Sequence, residues 1–251
     1  SEPLMDRNAV SEIIESGEPV SYEITLEPTR QQWVFAMDLP KIWSLERTFM
    51  GPQQQLSRVT PIEQRVSYKV VSYPDYILQT DLSDLSRQWY TSVPDSGNAQ
   101  SKELALEMRA AAGSDSAFID AVLAKFHVEE YFYTLQQPAL GSNSIDRFLF
   151  DTRRGFCEHY ASAFAFMMRS AGIPTRIILG YQGGEINPMG GHLIVRQSDA
   201  HAWTEVWLER YGWYRVDPTA AVAPERIEYG TRGAELDGLG ESWGFSAPSK
   251  L

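Results

Sequence analysis

Residues Arg153–Arg176 have the sequence RRGFCEHYASAFAFMMRSAGIPTR, in which a glycine is followed by a cysteine and then by an apolar helical pattern. The spacing i, i+3, i+4, i+7 is typical of a helix with one buried face, and the apolar positions are Ala161, Phe164, Ala165 and Met168. Gly172 and Pro174 are stop signals after this run. We therefore predict a helix that begins at Cys157 and ends at Ala171.

Short strands are predicted after this helix, and further helices before it. The strand candidates are Thr175–Tyr181, His192–Arg196, His201–Leu208 and Trp213–Asp217. The helical candidates before it are Ala99–Ala112, Ser116–Phe126 and the short Ser144–Phe150, with a short strand at Tyr131–Leu135. A helix packed on an antiparallel sheet is an α+β architecture.

The first part of the chain has strand patterns and no catalytic cluster. Apolar and polar side chains alternate in Val20–Leu26, and Ile62–Tyr73 is a long strand candidate. We expect β structure up to about Tyr90. The predicted domains are a β-rich region at 1–95, a catalytic domain at 96–230 and a flexible tail at 231–251, which is rich in Gly and Ser.

The composition limits the possible partners and compartments. With 22 basic and 33 acidic side chains, the net charge is −11, which disfavours nucleic acid and anionic lipid. The 251 residues contain one cysteine, so an internal disulfide is excluded, and neither cytosol nor periplasm is favoured by composition. The sequence lacks an apolar run long enough to span a membrane and begins Ser-Glu-Pro. We expect a processed protein or an excised domain whose flanking membrane segments have been removed.

Cys157 occupies a position where a thiol becomes reactive. The first turn of a helix has unpaired N–H groups and the positive end of the dipole, which stabilise a thiolate. The same N–H groups can hold an oxyanion. The alternative is that this lone cysteine is only a small buried apolar residue.

His201 is the best-placed base among the four histidines. His159 points away from the thiol, because side chains two positions apart on a helix diverge. Residues 209–212 form a turn that brings Asp217 close to the level of His201, and one strand register makes the two diagonal neighbours. A slip of one residue would separate them, and Asp217 before Pro218 is also explained by turn initiation alone.

Three segments of the chain resemble the core motifs of the transglutaminase-like superfamily. They are Gly155–Cys157, Ala200–Trp203 and Trp213–Thr219. Two segments between them, Arg169–Arg176 and Gly180–Tyr181, also match the usual sequence of the family. The resemblance covers about Tyr131 to Thr219. The sequence from Arg153 to Ala161 is most similar to that of a bacterial inner-membrane branch of the superfamily. In that branch the domain lies in the periplasm between transmembrane helices.

The resemblance implies a papain-like fold, with Cys157 as nucleophile, His201 as base and Asp217 as its partner. Tyr133 is a candidate oxyanion donor, since the family often uses an aromatic residue there, and Trp203 is a second candidate for contact with the substrate or the oxyanion. We expect no metal and no cofactor. The calcium sites of animal transglutaminases have no counterpart in this sequence, which also has neither a His-Glu-x-x-His nor a Cys-x-x-Cys motif.

The expected reaction is acyl transfer from a glutamine-type carboxamide, through a thioester, to an amine such as a lysine or a peptidoglycan diamino acid. The expected partners are a protein or peptide glutamine donor and an amine acceptor. Water in place of the amine would make the same site a deamidase, and a peptide bond as substrate would make it a cysteine peptidase. A binding or scaffold module that has lost catalysis is the alternative from another class.

Overall fold

The computed structural model describes residues 13–51, 53–137 and 139–224, whose contacts divide the chain into two units. The division falls between Leu82 and Ser83, and Glu209–Trp213 is grouped with the first unit. The tail predicted at 231–251 lies outside the described residues. The predicted limits of the β-rich region and of the catalytic domain stay predictions.

The first unit is built from short antiparallel strands. The strands are β1 (Ile13–Glu15), β2 (Val20–Leu26), β3 (Trp33–Val34), β4 (Pro40–Trp43), β5 (Thr48–Met50), β6 (Leu56–Arg58), β7 (Val66–Ser72) and β8 (Tyr76–Leu78). They form the sheets β2-β7-β4, β3-β6-β5 and β1-β8. The core consists of Val34, Leu56, Ile62, Tyr68 and Val70. The β2 strand is confirmed, whereas the long candidate Ile62–Tyr73 is shorter than predicted, because Ile62 pairs with the Arg30–Gln31 backbone instead.

A helix interrupts the region that was expected to be β up to about Tyr90. This helix, α1, spans Asp84–Tyr90, and its first turn is capped by the Ser83 side chain, which accepts from the Ser86 N–H. The expectation was wrong because α1 spans only seven residues and buries none of them, so no buried helical face distinguishes it from the strands before it.

Helices of the second unit enclose its core. They are α2 (Ala99–Ala111), α3 (Asp115–Val128), α4 (Ser144–Asp146), which continues as a wide π-type turn over Arg147–Thr152, and α5 (Cys157–Ser170). The predicted helix at Ser144–Phe150 is therefore only partly confirmed, while the helices at α2, α3 and α5 are confirmed. The buried face predicted for α5 is also confirmed, as Ala161, Phe164, Ala165 and Met168 are all at most 1% exposed.

The second unit also contains the sheet on which α5 packs. Its strands are β11 (Thr175–Tyr181), β14 (Ala200–Leu208) and β15 (Gly212–Val216), in the order β11-β14-β15. Shorter strands are β9 (Phe132–Tyr133), β10 (Arg154–Gly155), β12 (Glu185–Ile186) and β13 (Leu193–Ile194). Gly180 of β11 pairs with His201 of β14 in antiparallel register. A helix on an antiparallel sheet confirms the predicted α+β class.

Aromatic side chains hold α5 to the helices around it. The Tyr160 ring meets the Phe126 and Phe148 rings edge to face, at centroid distances of 5.6 and 4.9 Å. Phe164, one turn further along α5, is fully buried in the same cluster. The position of the α5 start therefore depends on this core.

We expect Phe164→Ala to destabilise the second unit by about 3–5 kcal/mol, because it leaves a cavity in a fully buried aromatic cluster. Urea unfolding measures the free energy of unfolding. Leu106→Ala on the exposed side of α2 is the control, with a change of about 0.5 kcal/mol or less. Equal losses in the two variants would contradict the assignment of the core.

Candidate active site

Cys157 is the first residue of α5, immediately after Phe156 at the helix cap position. It is 7% exposed and packs against Ala161 of the same helix and Ala202 of β14. The thiol therefore lies between the helix start and the sheet. The predicted helix-start position of Cys157 is confirmed.

His201 and Asp217 are joined by a hydrogen bond. His201 Nε2 lies 2.6 Å from Asp217 Oδ2, and the His201 side chain is fully buried. Asp217 follows β15 directly, and its second oxygen, Oδ1, accepts from the Thr219 N–H at 3.1 Å. The two side chains are thus within hydrogen-bonding distance, as considered from the sequence, and the turn-initiation role of Asp217 is found as well.

The other imidazole nitrogen of His201, Nδ1, is not used by Asp217. It is buried and has no hydrogen-bond partner in the part of the chain that the structure describes. The Cys157 side chain is near enough to the ring to raise the pKa of His201. One imidazole thus joins a carboxylate to a thiol, the arrangement needed to activate a nucleophile.

Opposing effects act on the pKa of His201. Burial lowers this pKa, but hydrogen bonds to Asp217 and Cys157, together with their negative charges, raise it more, and the net pKa lies above its ordinary value. The imidazolium is therefore favoured when Cys157 is a thiolate. Because the pKa is higher in the folded state, the stability gained is present below the unfolded-state pKa and is lost as the pH rises through the folded-state pKa.

Trp203 forms a platform beside His201. The two rings stack with a centroid distance of 6.1 Å and an interplanar angle of 23°. The Arg215 guanidinium lies over the Trp203 ring, 4.2 Å from its centroid, and donates to Gln182 Oε1 at 2.8 Å. A Cβ at Gly180 would lie 2.6 Å from Cη2 of Trp203, so only glycine leaves room for this ring.

The candidate oxyanion donors differ in their surroundings. Trp203 is 6% exposed, and its Nε1 is buried without a hydrogen-bond partner among the residues described. Tyr133 lies on β9, which pairs in parallel with β10 so that Tyr133 is opposite Gly155, two residues before Cys157. The structure thus places Tyr133 next to the turn that leads to Cys157, and Trp203 next to His201.

Three residues around this site were not identified from the sequence. Arg215 and Gly180 hold the Trp203 ring, and strand alternation alone does not reveal a cross-strand stack. The His159 ring lies against the helix start, where Nδ1 accepts from the Phe156 N–H. A histidine at the third helical position is not one of the usual capping-box residues, so no sequence signal identified it.

Metal and membrane features were sought over residues 13–51, 53–137 and 139–224. Within these ranges no group of three or more His, Cys, Asp or Glu side chains is arranged to hold a metal ion. No helix within them has both the length and the apolar character required to cross a bilayer.

The fold is that of the transglutaminase-like class. The family model "Transglutaminase-like superfamily" matches residues 102–218, and that of the TgpA N-terminal domain matches residues 2–79. The chain belongs to the transglutaminase-like superfamily, which confirms the resemblance stated from its motifs.

Similar solved structures are of TgpA type. Two crystal structures of the periplasmic domain of TgpA from Pseudomonas aeruginosa, one bound to ethylmercury, are 43% identical and have TM-scores of 0.84 and 0.83. The matches cover 88% and 86% of this chain and 76% and 78% of those chains. They confirm the predicted periplasmic location.

Curated full-length relatives are longer than this chain. A protein-glutamine gamma-glutamyltransferase of Pseudomonas aeruginosa is 44% identical over 214 residues, which is 85% of this chain and 32% of that protein. The uncharacterised protein YebA of Bacillus subtilis is 27% identical over 227 residues, 83% of this chain and 28% of that protein. The chain thus spans about a third of the length of these relatives.

We expect Asp217→Asn to lower the pKa of His201, because the neutral amide removes the negative charge that favours the imidazolium. Titration of the His201 ring protons by NMR measures this pKa in the native protein and in the variant. The His192 signal of the same spectra is the internal control, since that ring contacts Asn187 in the β12–β13 segment. An unchanged His201 pKa would show that Asp217 does not stabilise the imidazolium.

Proposed function

We propose that this domain transfers the acyl group of a protein or peptide glutamine to an amine, with Cys157 as nucleophile, His201 as base and Asp217 as its orienting partner. The observation that carries the proposal is the 2.6 Å hydrogen bond between His201 and Asp217, made by an imidazole whose pKa the Cys157 side chain also raises. The name of the 44% identical relative supports the choice of glutamine as acyl donor.

The reaction proceeds in two halves. The Cys157 thiolate attacks the carboxamide carbon, and the C–N bond breaks as the His201 imidazolium gives its proton to the leaving ammonia. This leaves a thioester on Cys157. In the second half the amine attacks the thioester, His201 accepts the amine proton, and Cys157 leaves as thiolate with formation of an isopeptide bond.

The tetrahedral intermediates carry a negative oxygen that needs donors. The Cys157 N–H lies in the first turn of α5, where backbone N–H groups have no partner within the helix. A second donor comes from Tyr133 or Trp203. The buried Nε1 of Trp203 is a donor without a hydrogen-bond partner among the described residues, and the Tyr133 hydroxyl lies on the strand opposite Gly155.

The low exposure of Cys157 favours a slender substrate group. A glutamine carboxamide projects on two methylene groups and can reach a thiol that is 7% exposed. A main-chain peptide bond would have to bring a whole backbone to the same depth. This observation favours transamidation or deamidation over peptide hydrolysis, and the presence or absence of an amine acceptor separates the first two.

The acceptor and the cellular setting follow from the same proposal. The amine is a lysine side chain or a diamino acid of the cell envelope, and the full protein is anchored in the inner membrane with this domain in the periplasm. Neither a metal nor a cofactor takes part in the proposed steps. The net charge of −11 argues against nucleic acid as a partner.

The Cys157→Ala variant is expected to lose all labelled-amine incorporation into a glutamine-containing protein while its fold persists. Alanine fits among Ala161 and Ala202, so the free energy of unfolding should change by about 1 kcal/mol or less. His127→Ala, outside the site, should retain activity. Full incorporation by a folded Cys157→Ala protein would exclude the thiol mechanism, and no incorporation by the native domain with any of a panel of glutamine donors would reject the proposed reaction.

His201→Ala and His201→Ala/Asp217→Ala are expected to have nearly equal activity, within about threefold, because Asp217 acts through His201. Asp217→Ala alone should lower kcat/KM strongly. The three variants and the native domain form a double-mutant cycle measured by ammonia release. Losses that multiply would mean that the two side chains act independently.

A further inference from the structure

The start of α5 lacks the side-chain cap that such a position normally has. Helices usually begin after Ser, Thr, Asp or Asn, whose oxygen accepts from the first free N–H groups. Here the residue at the cap position is Phe156, whose side chain has no acceptor atom. The turn that holds the nucleophile must therefore be fixed by another group.

The side chain of His159 provides an acceptor for the backbone of the cap residue. His159 Nδ1 accepts from the Phe156 backbone N–H at 3.3 Å, while the His159 backbone N–H donates to the Phe156 carbonyl at 2.8 Å. This is the backbone-directed half of a capping box, with histidine in the place of the usual Glu or Gln. Both hydrogen bonds close a loop around Cys157 and Glu158.

The His159 ring also packs against the main chain before the nucleophile. A Cβ at Gly155 would lie 2.8 Å from both Cβ and Cγ of His159, so the ring rests directly on the Gly155 backbone. The Phe156 ring meets it edge to face at a centroid distance of 4.5 Å. The Gly155 carbonyl in turn accepts from the Thr134 N–H at 2.8 Å, next to Tyr133. The ring thus lies at the junction between β10 and α5.

On its other side the ring is not enclosed by protein. A cavity of about 290 Å³ opens there, and His159, Glu158, Ser144 and Phe148 are among the residues that line it. The hydrogen bond to Nδ1 therefore acts together with the contacts to Gly155 and Phe156 in fixing the position of the ring.

The protonation state of His159 agrees with this role. Burial lowers the pKa of His159 and outweighs the Phe156 backbone and the Glu158 charge, which raise it. A neutral imidazole has one acceptor nitrogen, whereas an imidazolium has none. The environment therefore favours the form that can hold the Phe156 N–H.

We propose that His159 is a positioning residue for Cys157, whose Nδ1 fixes the Phe156 N–H and with it the orientation of the thiol and of the Cys157 N–H. The proposal rests on the proposed function of Cys157 as nucleophile. A turn that rotates by a few degrees moves the thiol relative to His201 without changing the surface that binds substrate. Small displacements of reacting groups cost rate rather than affinity.

The test compares His159→Phe, which keeps an aromatic ring without an acceptor, with His159→Asn, which returns an acceptor to the same branch of the side chain. His192→Phe is the matched control, because it also removes a ring nitrogen that contacts a polar group, the Asn187 amide, in the β12–β13 segment. His159→Leu replaces His159→Phe should the latter not fold. The readouts are kcat per titrated thiol, KM for a glutamine peptide, the melting temperature and the rate of Cys157 alkylation by iodoacetamide.

We expect His159→Phe to lower kcat per titrated thiol and the alkylation rate by about tenfold, with KM unchanged within about twofold. His159→Asn should return both rates to within about threefold of the native values, and His192→Phe should leave both unchanged. A lower melting temperature with native rates per thiol, or rates in His159→Asn no better than in His159→Phe, would overturn the proposal. The alkylation rate does not depend on acyl transfer, so it tests the positioning role even if the proposed reaction proves wrong.

Discussion

The hydrogen bond between His201 and Asp217 depends on where β15 ends. The Thr204 hydroxyl donates to the Val216 carbonyl at 2.7 Å, in a fully buried position, and so fixes the end of β15 against the middle of β14. Asp217 is the next residue, and its Oδ1 is held by the Thr219 N–H. The second oxygen is thereby directed to His201. Without it, a fully buried imidazole would lose its carboxylate partner, which costs free energy in a low-dielectric interior.

The same surroundings that bury the site also set its charge. Burial disfavours the imidazolium, and the carboxylate and the thiol favour it more strongly. A thiolate and an imidazolium stabilise each other, so the pair can exist in a place where either ion alone would be costly. The α5 start adds its positive dipole end on the side of the thiol. The Cys157 thiolate and the His201 imidazolium can therefore pair only where three elements lie together. These elements are α5, β14 and the turn after β15.

Sequence periodicity was sufficient for the elements that carry the nucleophile and the base. The i, i+3, i+4 pattern located the buried face of α5, and the order of Cys157, His201 and Asp217 located the candidate site. Elements without a buried stripe were not predictable in this way, as α1 shows. The orientation of the His159 ring was not predictable either. The ring fits only because Gly155 has no side chain, and the closeness of the two residues is defined by the folded backbone.

A glycine on the neighbouring strand restricts His201 further. Gly180 pairs with His201 across the sheet, and any side chain there would collide with Trp203. The empty space lets the Trp203 ring lie along His201, and the Arg215 guanidinium over that ring limits its movement. His201 is therefore bounded by Asp217, Trp203 and the Cys157 thiol before any substrate arrives. In the proposed reaction, a base that is already held in one orientation loses little conformational entropy, so the sheet would contribute to the rate as well as the residues proposed to react.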